Sequence, residues 1–577
     1  MDADPIPYGD YDAGRDCNYW RLDPTLRFEA RRVYPDDEFE WAESVLEEFG
    51  EVLGRRMADT ADRIDRAGHE LRSFDEHGER LNEVEYHPLV REQEEIVYEE
   101  FGVTHDAFHP PPGREEPLGL THVLTMQALL SYVDGGFCCP VSMTTGAALV
   151  LEKFDDGSLE EYFEALTARN LEDHIEGAMF LTEEQGGSDV GANEVRAEPT
   201  GGESEASETP RRGGGVPAER VYELYGEKWF CSNIDAEGAL ALARRPDAPE
   251  GTAGLSLFLV PRTRSDGEVN DATFRRLKDK LGTLSVPTGE IEFHGAEAHL
   301  VGEPENGFRQ MTEMLNFERL SNATAAVGIM GRALLESKVQ AANREVFGEV
   351  IQEYPLMRRD LVDMAVDYEA AAAFSFECAR LLDVYEREGR ETEAGERAFK
   401  LMRALIPVAK YETARMAVET TSYACEVLGG NGYVREHVTP RLLRDAQVLP
   451  IWEGTSNVLS LDLLRALERE NAHEALLPAI QEHLAAAEHP RLRELADYVF
   501  DVYTAALLIA DGQERIDSED DARAALVAER FVDTRLREHD ARGITSGERF
   551  AVERFDAIVR YVGVAPETLA EAAPADD

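Results

Sequence analysis

Arg444-Asp445-Ala446-Gln447-Val448-Leu449-Pro450-Ile451-Trp452-Glu453-Gly454-Thr455-Ser456-Asn457 sets one carboxylate, Glu453, between a Pro-Ile-Trp run and a Gly-Thr-Ser-Asn turn. Pro450 disfavours helix through Leu449, and Gly454 frees the backbone just after the acid. Thr455, Ser456 and Asn457 are N-capping residue types, so a helix is expected to begin there and run through 458–467. The start of such a helix offers free N–H groups and the positive end of a dipole, a place suited to a diphosphate. Apolar neighbours would raise the pKa of Glu453, as suits a base that lifts a proton from carbon. Read alone, the same residue is more simply an exposed loop glutamate before a capped helix.

Upstream lies Glu426-Val427-Leu428-Gly429-Gly430-Asn431-Gly432-Tyr433, a glycine-rich turn after a helical run. Together with "RDA…IWEGTSNV", this resembles the C-terminal signature of the acyl-CoA dehydrogenase family of flavoproteins. The segments "DEHGERLNEVEYHP", "CPVSMT", "TEEQGGSDV", "LKDKLG" and "REVFG…PLMR" are most similar to its adaptive-response (AidB-like) branch. The resemblance covers most of residues 80–467.

The formal net charge is −56 and the sequence pI about 4.6, with 7 Lys and 52 Arg among the 59 basic residues. The acids are spread along the chain, which reads as a surface adapted to a very salty cytoplasm where ions screen self-repulsion. Such a field makes nucleic acid an improbable partner, because DNA binding normally neutralises phosphates with Lys and Arg. Six cysteines lack CxxC or zinc spacing and are expected to be reduced and mostly buried. With no leader-like segment and no spanning apolar run, the expectation is a soluble cytoplasmic protein without a membrane partner.

Along the chain, 1–36 reads as an extended arm, helical spacing runs from Asp37 to about Ala67, and 72–89 reads as a loop before a helix at 90–101. Helices follow at 120–153 and 158–170. Strand-like runs then occupy 176–180, 220–233, 239–245, 254–262 and 288–302, with a Gly/Ser/Glu-rich insertion at 200–218. Long amphipathic runs at 307–345, 356–388, 393–428 and 456–467 fit a four-helix bundle. The expected fold is α+β and multidomain: a helical N-terminal domain (1–175), a β-domain (176–304), the bundle (305–467) and a helical extension (468–577). The extension is amphipathic at 492–511 and 520–540 and carries 12 Arg against 25 Asp/Glu, a net of 12 − 25 = −13.

The resemblance implies bound FAD, an acyl-CoA substrate, an electron-transfer flavoprotein as acceptor, and a dimer or tetramer that shares FAD sites across subunits. It implies flavin contacts from Met179, Leu181, Thr182 and Ser188, with Ser188 also near the pantetheine arm. It places Phe230, Cys231 and Ser232 where the family has Trp-Ile-Thr. Arg344 and Phe347, in "R-x-x-F-G", would face a neighbouring subunit's FAD diphosphate, an arginine-fork task. Glu426, Gly429, Gly430, Thr455, Ser456 and Asn457 complete that set, with Gly454, Glu318 and Arg319 toward substrate. Glu426 stands where relatives often have Gln. Two acids match the base positions of different family members, Glu453 and Glu318, and the intact "WEGT" context favours Glu453. Glu318 would otherwise pair with Arg319 or an adjacent helix. Leu284 and Val286 depart from the family's "LGxRxSxT" pattern. His174, His294 and His299 lack ligand spacing, so no metal is expected. The rival reading is an adaptive-response flavoprotein that protects DNA or acts as a scaffold with little turnover.

Overall fold

The computed structural model describes residues 6–200 and 216–486. Most of the 200–218 insertion, and the helical runs expected at 492–511 and 520–540, lie outside the described residues. The chain divides between Leu476 and Leu477 into two units, and the architecture below belongs to the first.

The N-terminal segment is not an extended arm. It forms α1 (Tyr19–Leu22) and α2 (Pro24–Val33), and the side chains of Asn18 and Asp23 accept from the backbone N–H groups of Arg21 and Leu26. Asn18 and Asp23 are helix caps here, and Tyr19, Trp20 and Leu26 are buried. Helices α3 (Asp36–Val52) and α4 (Ala58–Ala67) follow, joined by a π-helical turn.

The segment expected as a loop at 72–89 is a hairpin, β1 (Glu70–Phe74) paired antiparallel with β2 (Arg80–Glu85). Asp75 closes its turn by accepting from the N–H groups of His77 and Glu79, both at 2.8 Å. Beyond it come α5 (Val90–Glu94), which continues as a π-helical turn, α6 (His105–Phe108), α7 (Leu120–Leu130), α8 (Cys138–Phe154) and α9 (Glu160–Leu166). Helix α7 is buried on every side, as a helix apolar all round must be.

Seven strands make the central sheet: β3 (Gly177–Phe180), β4 (Arg196–Pro199), β5 (Val221–Ser232), β6 (Gly238–Arg244), β7 (Leu255–Val260), β8 (Ala272–Leu277) and β9 (Thr288–Val301). Strand β6 pairs with both β4 and β7, so the order β6-β4-β5-β9-β7 closes on itself, with β3 beside β6 and β8 beside β9. Strands β4 and β8 were not legible as strands. Their polar residues do not alternate cleanly because both lie beside longer, better patterned partners.

Helices α10 (Gly307–Asn343), α11 (Pro355–Glu388) and α12 (Glu393–Leu428) form the C-terminal bundle; a short hairpin, β10 (Glu345–Val346) with β11 (Glu349–Val350), links α10 to α11. Short α13 (Thr439–Ala446) and then α14 (Ser456–Arg469) follow. Helix α10 packs against α7, α8, α11 and α12 and is the central helix of the first unit. Gly328 permits its closest approach to α7, since a Cβ there would lie 2.1 Å from the Ala128 carbonyl oxygen. The last helix among the described residues, α15 (His473–Ala486), runs across the boundary between the two units.

Candidate active site

Glu453 sits on the turn between α13 and α14, just before the N-cap Thr455. Its own backbone is left-handed (φ 54°) and Gly454 follows at φ 106°, a conformation only glycine adopts without strain. Two cations hold this turn by its main chain. Arg319 Nε on α10 donates to the Glu453 carbonyl at 3.1 Å, and Lys410 Nζ on α12 donates to the Gly454 carbonyl at 2.6 Å. Arg319 is itself braced by Asp462 at 2.6 Å, which also binds Arg403 at 2.8 Å.

One carboxylate oxygen is left without a partner. Glu453 Oε2 is buried without a hydrogen-bond partner, as is the indole N–H of the adjacent Trp452. Burial raises the pKa of Glu453, while the charges on Lys410 and Arg319 pull it back toward the ionised form. Lys410 is fully buried, and desolvation pushes its ammonium down to about 7 despite the attraction of Glu453.

Glu318, on α10, is 6% exposed and its Oε1 has no partner. The expectation that it pairs with Arg319 fails, because the guanidinium is committed to Asp462 and the Glu453 carbonyl. Burial, then the charge on Glu453, drives the Glu318 pKa well above its ordinary value, and the nearby Ser142 hydroxyl only partly offsets this. The two acids therefore differ in kind. Burial raises both, but cations pull Glu453 back toward the carboxylate, whereas a neighbouring carboxylate pushes Glu318 further up.

A second face lies on the barrel. Strand β5 bulges at Trp229 and Phe230, where two residues oppose the single Glu290 of β9. The bulge turns Phe230 outward, 54% exposed, with Lys278 Nζ 4.6 Å from its ring centre and 3.8 Å from that of Trp229. Thr182 and Ser232 are half-buried, and Met179 and Leu181 pack partly against the barrel core. Trp229 N–H donates to the Thr182 carbonyl at 2.9 Å, tying the two segments together. The turn after β3 is stiffened by the buried pair Lys228–Glu183 at 2.7 Å, with Glu183 also accepting from Glu194 N–H. Cys231 does not belong to this face: its thiol is fully buried in the barrel core. Strand alternation sends it inward, so only its backbone remains available.

Arg344, Phe347, Glu426, Gly429 and Gly430 form a third, exposed group where α10 and α12 end. Arg344 caps α10, and a Cβ on Gly429 would lie 3.7 Å from its Nη1. Phe347 sits in the turn between β10 and β11, 95% exposed. At the start of α14, Thr455 and Asn457 are exposed, no side chain caps the helix, and Ser456 Oγ accepts from Arg415 at 3.2 Å. Ser188 is exposed. His294 is tied to Thr273, and His299 is buried in the barrel.

Lys228, Lys278, Lys280 and Lys410 were not singled out from the sequence. A signal existed: in a chain with 7 Lys and 52 Arg, four of the lysines stand around these two faces.

Three family models match in succession: "Adaptive response protein AidB N-terminal domain" over residues 12–173, "Acyl-CoA dehydrogenase, middle domain" over 178–296, and "Acyl-CoA dehydrogenase, C-terminal domain" over 305–468. Acyl-CoA dehydrogenase family member 11 of Caenorhabditis elegans is 32% identical over 471 residues, 79% of this chain and 71% of that protein. The chain belongs to the acyl-CoA dehydrogenase family. Another acyl-CoA dehydrogenase relative, the putative acyl-CoA dehydrogenase AidB of Escherichia coli (strain K12), is 30% identical over 442 residues, 74% of this chain and 75% of that one. The crystal structure of C. elegans ACDH-11 in complex with C11-CoA superposes with a TM-score of 0.77 at 28% identity, covering 93% of this chain and 88% of that one. No helix among the described residues is long and apolar enough to cross a membrane.

The residues present fit the family's FAD. The barrel face offers an outward aromatic ring beside two hydroxyls, and the α14 N-terminus has no side-chain cap on its free N–H groups.

Proposed function

We propose that the protein is an FAD-dependent acyl-CoA dehydrogenase that oxidises the Cα–Cβ bond of an acyl-CoA thioester, with Glu453 as the α-proton base. The observation that carries this reading is the divided treatment of the Glu453 turn: Arg319 holds the Glu453 carbonyl and Lys410 the Gly454 carbonyl, while Glu453 Oε2 is buried and unpartnered. A base presented in this way is oriented rather than ion-paired: burial raises its pKa, and the charges on Lys410 and Arg319 pull it back.

In the proposed reaction Glu453 takes the α-proton, and bound FAD supplies the acceptor for the β-hydride, leaving a 2-enoyl thioester. Phe230 and Thr182 would flank the ring system on the barrel side, with Ser232 as a hydroxyl partner. Glu318, whose pKa burial and the charge on Glu453 push up, would not serve as the base. The C11-CoA held by the C. elegans relative supports a medium-length acyl chain as the first substrate to try. An electron-transfer flavoprotein is the proposed acceptor. Arg344 and the exposed Phe347 would face a second subunit, completing FAD sites in a homo-oligomer. The rival DNA-protective role is disfavoured by the net −13 of residues 468–577.

The test is the visible spectrum of the full-length protein in concentrated salt, before and after anaerobic titration with acyl-CoAs of graded length. Bleaching of a bound-flavin band by one chain class is expected. Glu453→Gln should keep the flavin and lose bleaching by roughly a thousandfold or more, the scale of a lost general base. Protein without flavin, or a fully active Glu453→Gln with a dead Glu318→Gln, overturns the assignment.

A further inference from the structure

Behind the barrel face runs a three-membered polar relay. Ser232 Oγ lies 3.0 Å from Thr288 Oγ1, which lies 3.1 Å from Lys280 Nζ. The ammonium's remaining donors go to the carbonyls of Thr283 at 2.8 Å and Val286 at 2.7 Å. A charged lysine has three donors and no acceptor. All three are spent here, so Thr288 Oγ1 must accept from Lys280 and can send its own proton only toward Ser232. Ser232 then keeps its proton for whatever lies beyond it. A neutral Lys280 reverses the order. Its lone pair takes the Thr288 proton, Thr288 accepts from Ser232, and Ser232 presents lone pairs outward.

We propose that Lys280 is a positioning residue that, through Thr288, holds Ser232 as a hydrogen-bond donor toward the flavin ring and sets a positive charge behind it. The inference rests on the FAD reading above and adds a residue to it. A donor and a cation on this side favour the ring when it carries extra electrons, so the relay raises the reduction potential.

The groups around Lys280 make the relay titratable. Asp134 is fixed by Ser285 Oγ at 2.6 Å and by the N–H groups of Gly136 and Phe137. Asp445 accepts from Thr283 N–H at 2.6 Å and lies 3.9 Å from Arg441. His69 Nε2 is bonded to the Ser285 carbonyl at 2.8 Å, and Cys139 is within electrostatic reach of the ammonium. The neighbouring Lys278 is paired with Glu290 at 2.5 Å. Burial pushes the Lys280 ammonium down to about 8, with Cys139, Asp445 and Asp134 holding it up against a larger fall.

The experiment is reductive titration of the full-length holoprotein in concentrated salt, with mediators and dithionite, from pH 6 to pH 10. It compares wild type with Lys280→Met and Thr288→Val. Wild type should show an extra bend in potential and a shift of the flavin band near pH 8. Lys280→Met should retain FAD, move the reduction equilibrium roughly tenfold or more toward the oxidised form at pH 6.5, and lose the bend, as expected of one unit charge removed from a partly buried site. Thr288→Val keeps the charge and cuts the relay, so its flavin band should no longer shift with pH. A Lys280→Met protein with wild-type potential and an intact bend overturns the proposal. If Lys280→Met yields no holoprotein, a wild-type band shift in Thr288→Val overturns it instead. Wild-type protein that carries no flavin overturns the FAD reading, and the relay with it.

Discussion

Lys410 Nζ donates to the carbonyl oxygen of Gly454 at 2.6 Å, and the same ammonium is the strongest charge favouring ionised Glu453. One buried lysine thus fastens the turn and opposes the desolvation that would protonate its acid.

Removing that charge should move the acid limb of the pH–rate profile. Activity needs ionised Glu453, so kcat/KM rises with pH through its pKa. In Lys410→Met the opposing charge is gone, the Glu453 pKa rises further, and the limb should shift upward by roughly one pH unit. A pH profile of kcat/KM checks this, and an unmoved limb would assign Lys410 a purely structural role.

Glu318 should make stability fall as pH rises. Its folded-state pKa lies well above the ordinary carboxylate value because of burial and the charge on Glu453. Its favourable contribution is complete below the unfolded pKa and is lost as pH rises toward the folded one, at about 1.4 kcal/mol per unit. Glu318→Gln lacks this dependence. Its stability relative to wild type should therefore increase as pH rises above the ordinary carboxylate range in denaturant titrations, and a constant difference would contradict the raised pKa of Glu318.

Arg344 and Phe347 are both exposed, so their loss should spare the fold. Arg344→Ala is expected to weaken FAD retention roughly tenfold, read from the ratio of flavin to protein absorbance after dialysis. Phe347→Asp should lower the oligomeric mass in light scattering. A monomeric wild type with full flavin content would count against a shared site.

A charge of −56 on 577 residues should make stability depend on salt. Raising KCl from 0.1 M to 2 M is expected to raise Tm by roughly 10 °C or more, as screening relieves self-repulsion. A flat Tm across that range would remove the case for adaptation to brine.

The parts of this protein that were legible in its sequence are those governed by local chemistry. The bundle helices α10, α11 and α12 begin and end within about two residues of the 307–345, 356–388 and 393–428 runs, because long periodicity outweighs local ambiguity. The turn at Glu453 was legible because Pro450, Gly454 and Thr455 each restrict the backbone in a known way. The hairpin β1–β2 was not, since its half-exposed strands carry charges on the outer face and lack an apolar stripe. Lys410 and Lys280 act through space on residues 43 and 8 positions away in sequence, Glu453 and Thr288, and no spacing rule links them. The inward turn of Cys231 and the outward turn of Phe230 depend on pairing with β9, which a strand's own residues do not encode.

The bulge at Trp229 and Phe230 makes one face of the barrel sensitive to counting. Inserting a single residue into β9 beside Glu290 would restore plain alternation, swing the ring of Phe230 toward the core and send Cys231 outward. The hydrogen-bonded ladder with β9 would survive such an edit, so a chimaera carrying a bulge-free β5 could pass a test for folding and fail one for pigment. Colour, rather than solubility, is the sensible screen when segments of this barrel are exchanged between relatives.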